Sequence, residues 1–212
     1  RFMCLSVVLM ATAAAANAAT FVVNSFDDLA DATPGDGVCA TATSVCTLRA
    51  AISEANALAG DDSITLPAGT YTQSLTAANE DLNAGGDWDI TSTITINGAD
   101  QATTIVQAAV SAGTATERVF NVRAGGNLTL NNMTVRNGRF NGTMSTATRG
   151  AGIENNGILA INNVTLRDNQ INSTSGNPIG AGIHNAGSSV SITNSSITNN
   201  TNTRVTGGSA FG

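Results

Sequence analysis

The 212 residues are 42% hydrophobic but only 4% aromatic and 11% charged, so any core must be assembled from small aliphatic side chains, as a narrow repetitive fold requires. All nine basic residues are Arg, against 15 Asp and Glu, for a formal net charge of −6. So acidic a chain has no electrostatic footprint for nucleic acid, which is excluded as a partner.

Residues 1–18 have a basic start, an apolar run and an Ala16-Asn17-Ala18 end, the layout of a secretory signal peptide cut after Ala18. A buried helix or a membrane span competes, but the apolar run is too short to cross about 30 Å of hydrocarbon. The expected mature chain starts at Ala19, has no membrane span, and is secreted or held at a bacterial cell surface or outer membrane. Because Arg1 stands where an initiator Met would, a few residues are expected to precede it.

Cleavage removes Cys4 and leaves Cys39 and Cys46, an even pair that in an exported protein reads as a disulfide. A zinc site is the alternative, but two thiols with no third soft ligand nearby make a poor one. Around them Asp27, Asp28, Asp31 and Asp36 fall in a turn-rich run. Four carboxylates could hold calcium, the one cofactor the sequence leaves open, although their spacing matches no EF-hand loop and a solvated turn explains them as well.

Thr47 then precedes Leu48-Arg-Ala-Ala-Ile-Ser-Glu-Ala-Asn-Ala-Leu58, with Gly60 following. An N-cap residue, apolar positions Leu48, Ala51, Ile52 and Ala55 along one face, and a glycine stop predict a helix over 48–58. One amphipathic helix ahead of a repetitive β region is placed to cover the first exposed edge and block association through it.

Three later stretches repeat one pattern: Gly126-Asn-Leu-Thr-Leu-Asn-Asn-Met-Thr-Val-Arg-Asn-Gly138, Gly157-Ile-Leu-Ala-Ile-Asn-Asn-Val-Thr-Leu-Arg-Asp-Asn169 and Ser188-Ser-Val-Ser-Ile-Thr-Asn-Ser-Ser-Ile-Thr-Asn-Asn200. Leu128, Leu159 and Val190 are equivalent, a fixed step that marks stacked repeats. In each copy the apolar alternation changes parity across a polar pair, Asn131-Asn132, Asn162-Asn163 and Thr193-Asn194. Either the chain turns a corner there, which Asn tolerates, or it closes a hairpin. A third recurring element, Gly150-Ala-Gly-Ile153 and Gly180-Ala-Gly-Ile183, echoed by Gly208-Ser-Ala-Phe211, favours the corner, giving three short strands per coil. Stacked coils make an all-β parallel β-helix.

Gly35-Asp-Gly-Val-Cys39, Cys46-Thr-Leu-Arg-Ala-Ala-Ile-Ser-Glu-Ala-Asn56 and Asp62-Ser-Ile-Thr-Leu-Pro-Ala-Gly-Thr-Tyr71 resemble the CSLREA domain, a module of exported bacterial proteins that continue as right-handed parallel β-helices. The later repeats are similar to those of the pectate-lyase-like superfamily and of polymorphic outer-membrane proteins. The resemblance implies a capping module over 19–61 and β-helix coils over 62–212, the last of them cut short. One departure stands out: Ala50 replaces the Glu that would complete a capping box with Thr47, so Ala50→Glu is expected to raise thermal stability.

The apolar pairs from Ile64 onward predict roughly five coils. Polar stretches over 77–86 and 141–149 read as loops projecting from a corner, where solenoids place their binding surfaces. Glu154 and His184 are equivalent and would sit outward on adjacent coils, as would Arg136 and Arg167, a pair suited to acidic sugars. These four are the only catalytic candidates, and an exposed ion pair and a solvated face explain them equally. Thr91, Thr93 and Thr95 share one face but do not recur. Acid pairs Asp61-Asp62, Glu80-Asp81 and Asp87 with Asp89 are present, but nothing in the sequence shows them converging. The expectation is a monomeric exported scaffold or adhesin that presents its corner loops to an extracellular glycan or a surface protein. The alternative is a polysaccharide lyase or glycoside hydrolase.

Overall fold

Apolar residues alternating at period two form short strands, and residues that recur at the same place in each coil let those strands pair in register. The structure, a computed structural model, describes residues 17–76, 80–143, 149–175, 178–187 and 189–204. The signal-like segment before Asn17 and the echo at 208–211 lie outside them.

The chain opens with β1 (Thr20–Val22) and helix α1 (Leu48–Ala57). The first coil carries β2 (Asp61–Leu66) and β3 (Gly69–Thr72), and the second β4 (Trp88–Ile90), β5 (Thr93–Gly98) and β6 (Thr104–Gln107). The third has β7 (Phe120–Val122), β8 (Asn127–Arg136) and β9 (Arg139–Thr143). Then come β10 (Ile153–Asn155), β11 (Ile158–Arg167) and β12 (Gln170–Ser175). The last described coil holds β13 (Ile183–Asn185), β14 (Ser189–Thr193), β15 (Ser196–Thr198) and β16 (Thr201–Arg204).

Every strand pairing is parallel. The largest sheet follows the path β1-β2-β5-β8-β11-β14, a second runs β13-β10-β7-β4, and a third β16-β12-β9. Together they form a parallel β-solenoid of about four turns, since the first of the five coils is incomplete. The reason is that the second sheet ends at β4, and α1, rather than a further strand, packs there.

The parity change in each copy is a corner. Leu128 pairs with Leu159 and Leu159 with Val190 in parallel register, which rules out the hairpin. The second residue of each corner pair, Asn132, Asn163 and Asn194, takes the left-handed backbone, with φ of 55°, 54° and 50°. Asn163 donates to Asn132 Oδ1 at 2.9 Å, so the corner is also stitched from coil to coil. A second left-handed column, Asn137, Asp168 and Asn199, turns the chain from β8, β11 and β15 into β9, β12 and β16. That third sheet occupies part of what reads in the sequence as a projecting loop after Phe140. It contributes one buried apolar residue, Ile171, packed with Ala151, Ala181 and Phe140 in a small satellite core.

Helix α1 is one residue shorter than expected and starts as expected, with the Thr47 hydroxyl accepting from Ala50 N at 3.0 Å. Leu48, Ala51, Ile52 and Ala55 join the main core with Trp88, Ile94 and Leu128. Burial extends beyond that stripe, because Arg49, Ala50 and Glu54 are also fully buried. A Glu side chain at Ala50 would therefore have to enter a filled interior, and the stabilisation expected of Ala50→Glu is withdrawn. At its C-terminal end the helix finishes the bare edge of β4. The Asn56 side chain donates to Asp89 O at 2.8 Å and accepts from Thr91 N at 2.8 Å, replacing a neighbouring strand. Cys39 and Cys46 form the expected disulfide, with Cα atoms 5.1 Å apart, directly before the helix N-cap.

Candidate functional site

The second sheet carries a polar column on its outer face. Trp88 and Ile90 point into the core, so Asp89 between them points out, and the register stacks Asp89, Asn121, Glu154 and His184. Asp89 and Asn121 are buried all the same. Asp89 accepts from Asn121 Nδ2 at 3.0 Å and from Asn83 N at 3.2 Å. The backbone around Asn83 folds over this face instead of projecting from it. Glu80 holds that fold by accepting from Leu82 N and Gly85 N, each at 2.9 Å.

Beside the column lies a pocket of about 250 Å³. Its walls come from four separate stretches: Glu80 and Asp81, Asp87, Glu117 to Arg123, and Phe140. Asp87 is 6% exposed, and its only described charged partner is Arg118 Nε at 3.5 Å. The Arg118 guanidinium lies 4.8 Å from the Phe140 ring centre, stacked as a cation on an aromatic face. Arg123 pairs with Asp81 through two contacts, 2.7 and 2.9 Å, at the exposed rim. Asn121 lines the pocket, and its Oδ1 is buried with no hydrogen-bond partner among the described residues, an unmet acceptor that carries a cost.

The carboxyls here are unusually basic. Burial pushes Asp87 up to about 8, Arg118 pulling it back and Asp89, Glu117 and Glu80 pushing it further. Burial likewise raises Asp89 to about 7 against the opposing Asn83 hydrogen bond. Glu117 is also raised, by burial ahead of the lowering effect of Arg118. A carboxylic acid that keeps its proton at neutral pH can donate a hydrogen bond or a proton, and it sits next to acceptors and two guanidiniums.

The other candidates are placed as follows. Glu154 and His184 do pair, with Nδ1 3.2 and 3.1 Å from the two carboxylate oxygens, as the next two rungs of the column. Arg136 and Arg167 are register neighbours on the largest sheet, away from Glu154 and His184. Arg136 donates to Gln107 Oε1 at 2.8 Å, while Arg167 pairs with Asp168. Burial and then Arg167 lower the Arg136 pKa. Thr93 and Thr95 share a half-buried face of β5, as expected, and Thr91 lies before that strand.

The four Asp of the N-terminal run do not gather. Asp28 is buried against Arg49 at 2.6 Å and accepts from Ser74 N and Leu75 N. Asp31 accepts from Thr33 N and Ala40 N, Asp36 from Val38 N, and Asp27 from the Ser25 hydroxyl. Among the described residues no group of three His, Cys, Asp or Glu side chains could hold a metal ion. A cavity of about 500 Å³ lies on the inner face of the last described coil, lined by Ile183, Val190, Ile192 and Ile197. Those are stacking positions and carry no chemistry. No described helix is long and apolar enough to cross a membrane.

Arg49 was the residue least visible beforehand. It joins α1 to the wall of the pocket by donating to Gly86 O at 2.7 Å and to Asn83 O and Asp87 O, each at 3.3 Å. The pocket itself carried one readable signal. Asp87 and Asp89 flank an inward Trp88 in a short strand, so both must face the same way.

Comparison with protein-family models, with curated proteins and with solved structures finds no significant match to this chain.

Proposed function

We propose that this chain is an exported scaffold of the CSLREA kind, a pectate-lyase-like β-helix that binds an extracellular glycan in the pocket between Asp87, Glu117, Asn121 and Phe140. The observation that carries the reading is the buried Asn121 Oδ1, which lacks a donor in a pocket already lined with acids and arginines. Buried polar groups left unpaired where side chains converge suit a ligand rich in hydroxyls. Glu80 and Asp81, from the polar stretch after Thr76, form one wall and Phe140, which opens the second stretch, another, so in this reading the binding role falls where the first loop meets the sheet. In this reading the protein sits at the cell surface or outside the cell.

Titration calorimetry of the chain against neutral, acidic and amino-bearing oligosaccharides tests this. Binding that drops at least tenfold in Asp87→Asn and Glu117→Gln supports it. Silence across the panel, or binding untouched by both variants, refutes it, and a protein partner that alone competes for this face would replace the glycan.

A second reading is favoured by the proton that Asp87 retains. A glycoside hydrolase needs one protonated and one ionised carboxyl across the scissile bond. Asp87 would be the acid and Glu117 its counterpart. Release of reducing ends that vanishes in Asp87→Asn supports this reading. A lyase working through Arg136 and Arg167 would instead release unsaturated uronate, and Arg136→Ala with Arg167→Ala would abolish it.

A further inference from the structure

Asp62 stands at a position where a carboxylate has no evident business. It alternates with Ile64 and Leu66 on the core-facing side of β2, and its register partner on β5 is Ile94. It is 1% exposed, and none of the described ion pairs includes it. Its single described hydrogen bond comes from the backbone N–H of Ala19, which meets Oδ1 at 2.7 Å, while Oδ2 is buried with no partner among the described residues. Taking a carboxylate out of water with half its acceptor capacity unused is expensive.

One chemical change would repair this. Ala19 is the residue that follows Ala16-Asn17-Ala18, and Asn17 and Ala18 are exposed. Hydrolysis of the Ala18–Ala19 peptide bond adds water across it, leaving a carboxylate on Ala18 and a primary amine on Ala19 that takes up a proton. The single N–H at 2.7 Å becomes an ammonium with three donors and a positive charge. That group can serve both oxygens of one carboxylate. Ala19 is already held in place, since its carbonyl accepts from Ser63 N at 2.9 Å as β1 joins β2.

We infer that Asp62 is the seat of the mature N-terminus, a buried carboxylate built to pair with the Ala19 α-ammonium created by removal of the leader. The inference rests on the export reading. It makes maturation a stabilising step: the precursor carries an uncompensated buried acid, and the processed chain an ion pair that locks β1 onto the solenoid edge. The sign follows from the pairing. An ammonium held by a carboxylate titrates above the ordinary α-amino value of about 7.7–8.0, so its stabilisation is complete below that range and lost as pH rises through the raised value.

The absence of Lys makes the test clean, because the α-amine is the only primary amine in the chain. Chains beginning at Ala19, beginning at Ala18, and beginning at Ala19 with Asp62→Asn are acylated at pH 8 and followed by mass spectrometry. Reaction of the Ala19 chain roughly fivefold slower than both others, the effect at pH 8 of about one pKa unit on free amine, is the expected result. Equal rates in all three overturn the seat. If Asp62→Asn does not fold, the Ala18 chain alone decides, since one added residue carries the amine away from the carboxylate. Separately, the mass of the protein from an exporting bacterial host should place its first residue at Ala19. A first residue elsewhere overturns the inference, and a chain retained uncut in the cytoplasm overturns the export reading beneath it.

Discussion

Removing the Arg49 guanidinium should cost more than any other single change in the N-terminal module. Arg49 is 0% exposed and donates to both oxygens of Asp28, at 2.6 and 3.2 Å, as well as to the carbonyls of Asn83, Gly86 and Asp87. Its guanidinium carbon also lies 5.8 Å from the Trp88 ring centre. Arg49→Met keeps most of the stem but leaves a buried charge on Asp28, a loss of about 3–5 kcal/mol for one broken pair. The stranded carbonyls add about 1 kcal/mol or more. A total near 5 kcal/mol is comparable with the whole stability of a marginal domain.

The charge and the shape can be separated. Asp28 Oδ2 accepts from Ser74 N and Leu75 N, bonds that an amide oxygen can keep. Asp28→Asn in the Arg49→Met background should therefore recover about 2 kcal/mol by removing the orphaned charge. Urea unfolding followed by the fluorescence of Trp88, the one Trp in the chain and a neighbour of Arg49, reads both variants. A cost under about 1 kcal/mol for Arg49→Met, or no recovery in the double variant, would show that the pair is not what fastens helix, loop and pocket wall together.

Other outcomes follow from the same contacts. Asp87 is raised from 3.8 to about 8, so the folded state binds more protons than the unfolded one across that window and stability falls as pH climbs through it; Asp87→Asn should flatten the fall and be the more stable protein at pH 8 in thermal melts. Reduction of Cys39–Cys46 should lower stability by about 2.5 kcal/mol, as a loop this short implies, and an unchanged urea midpoint would contradict it. Asn56→Ala should uncover the edge of β4, seen as faster amide exchange at Thr91 and concentration-dependent association in light scattering. Gly157→Ala should fail to express as folded protein, because its Cβ would overlap the carbonyl oxygen of Gly126 one coil below.

What could be read in advance, and what could not, divides along the solenoid axis. Positions that stack on their own copies are visible because stacking demands likeness: Leu128 on Leu159 on Val190, and Asn132 below Asn163 at a left-handed corner. The helix was legible for a similar local reason, its cap and apolar stripe lying within eleven residues. The third sheet was not, because β9, β12 and β16 each offer at most one buried apolar side chain among polar neighbours. Arg49 was hidden by its type, since a guanidinium beside an apolar stripe reads as solvated until its partners Asp28 and Gly86, brought close by the fold, are known.

The pocket was hidden by the same stacking that made the frame visible. Asp89, Asn121, Glu154 and His184 occupy one column, yet they share no residue type, so repetition marks only the Glu154–His184 step and leaves Asp89 and Asn121 unseen. In a solenoid the core positions must match from coil to coil while the outward ones need not. A column that is outward, buried and dissimilar is therefore where packing alone cannot explain the residues. Here that column runs from a carboxyl raised to about 7, through an amide with an unused oxygen, to a Glu–His pair. Asn121→Leu deletes the unused oxygen together with the amide that donates to the buried Asp89 at 3.0 Å, so it should lower stability by about 1–3 kcal/mol as well as abolish glycan binding. A variant that keeps both its urea midpoint and its glycan affinity would refute the column's part in either.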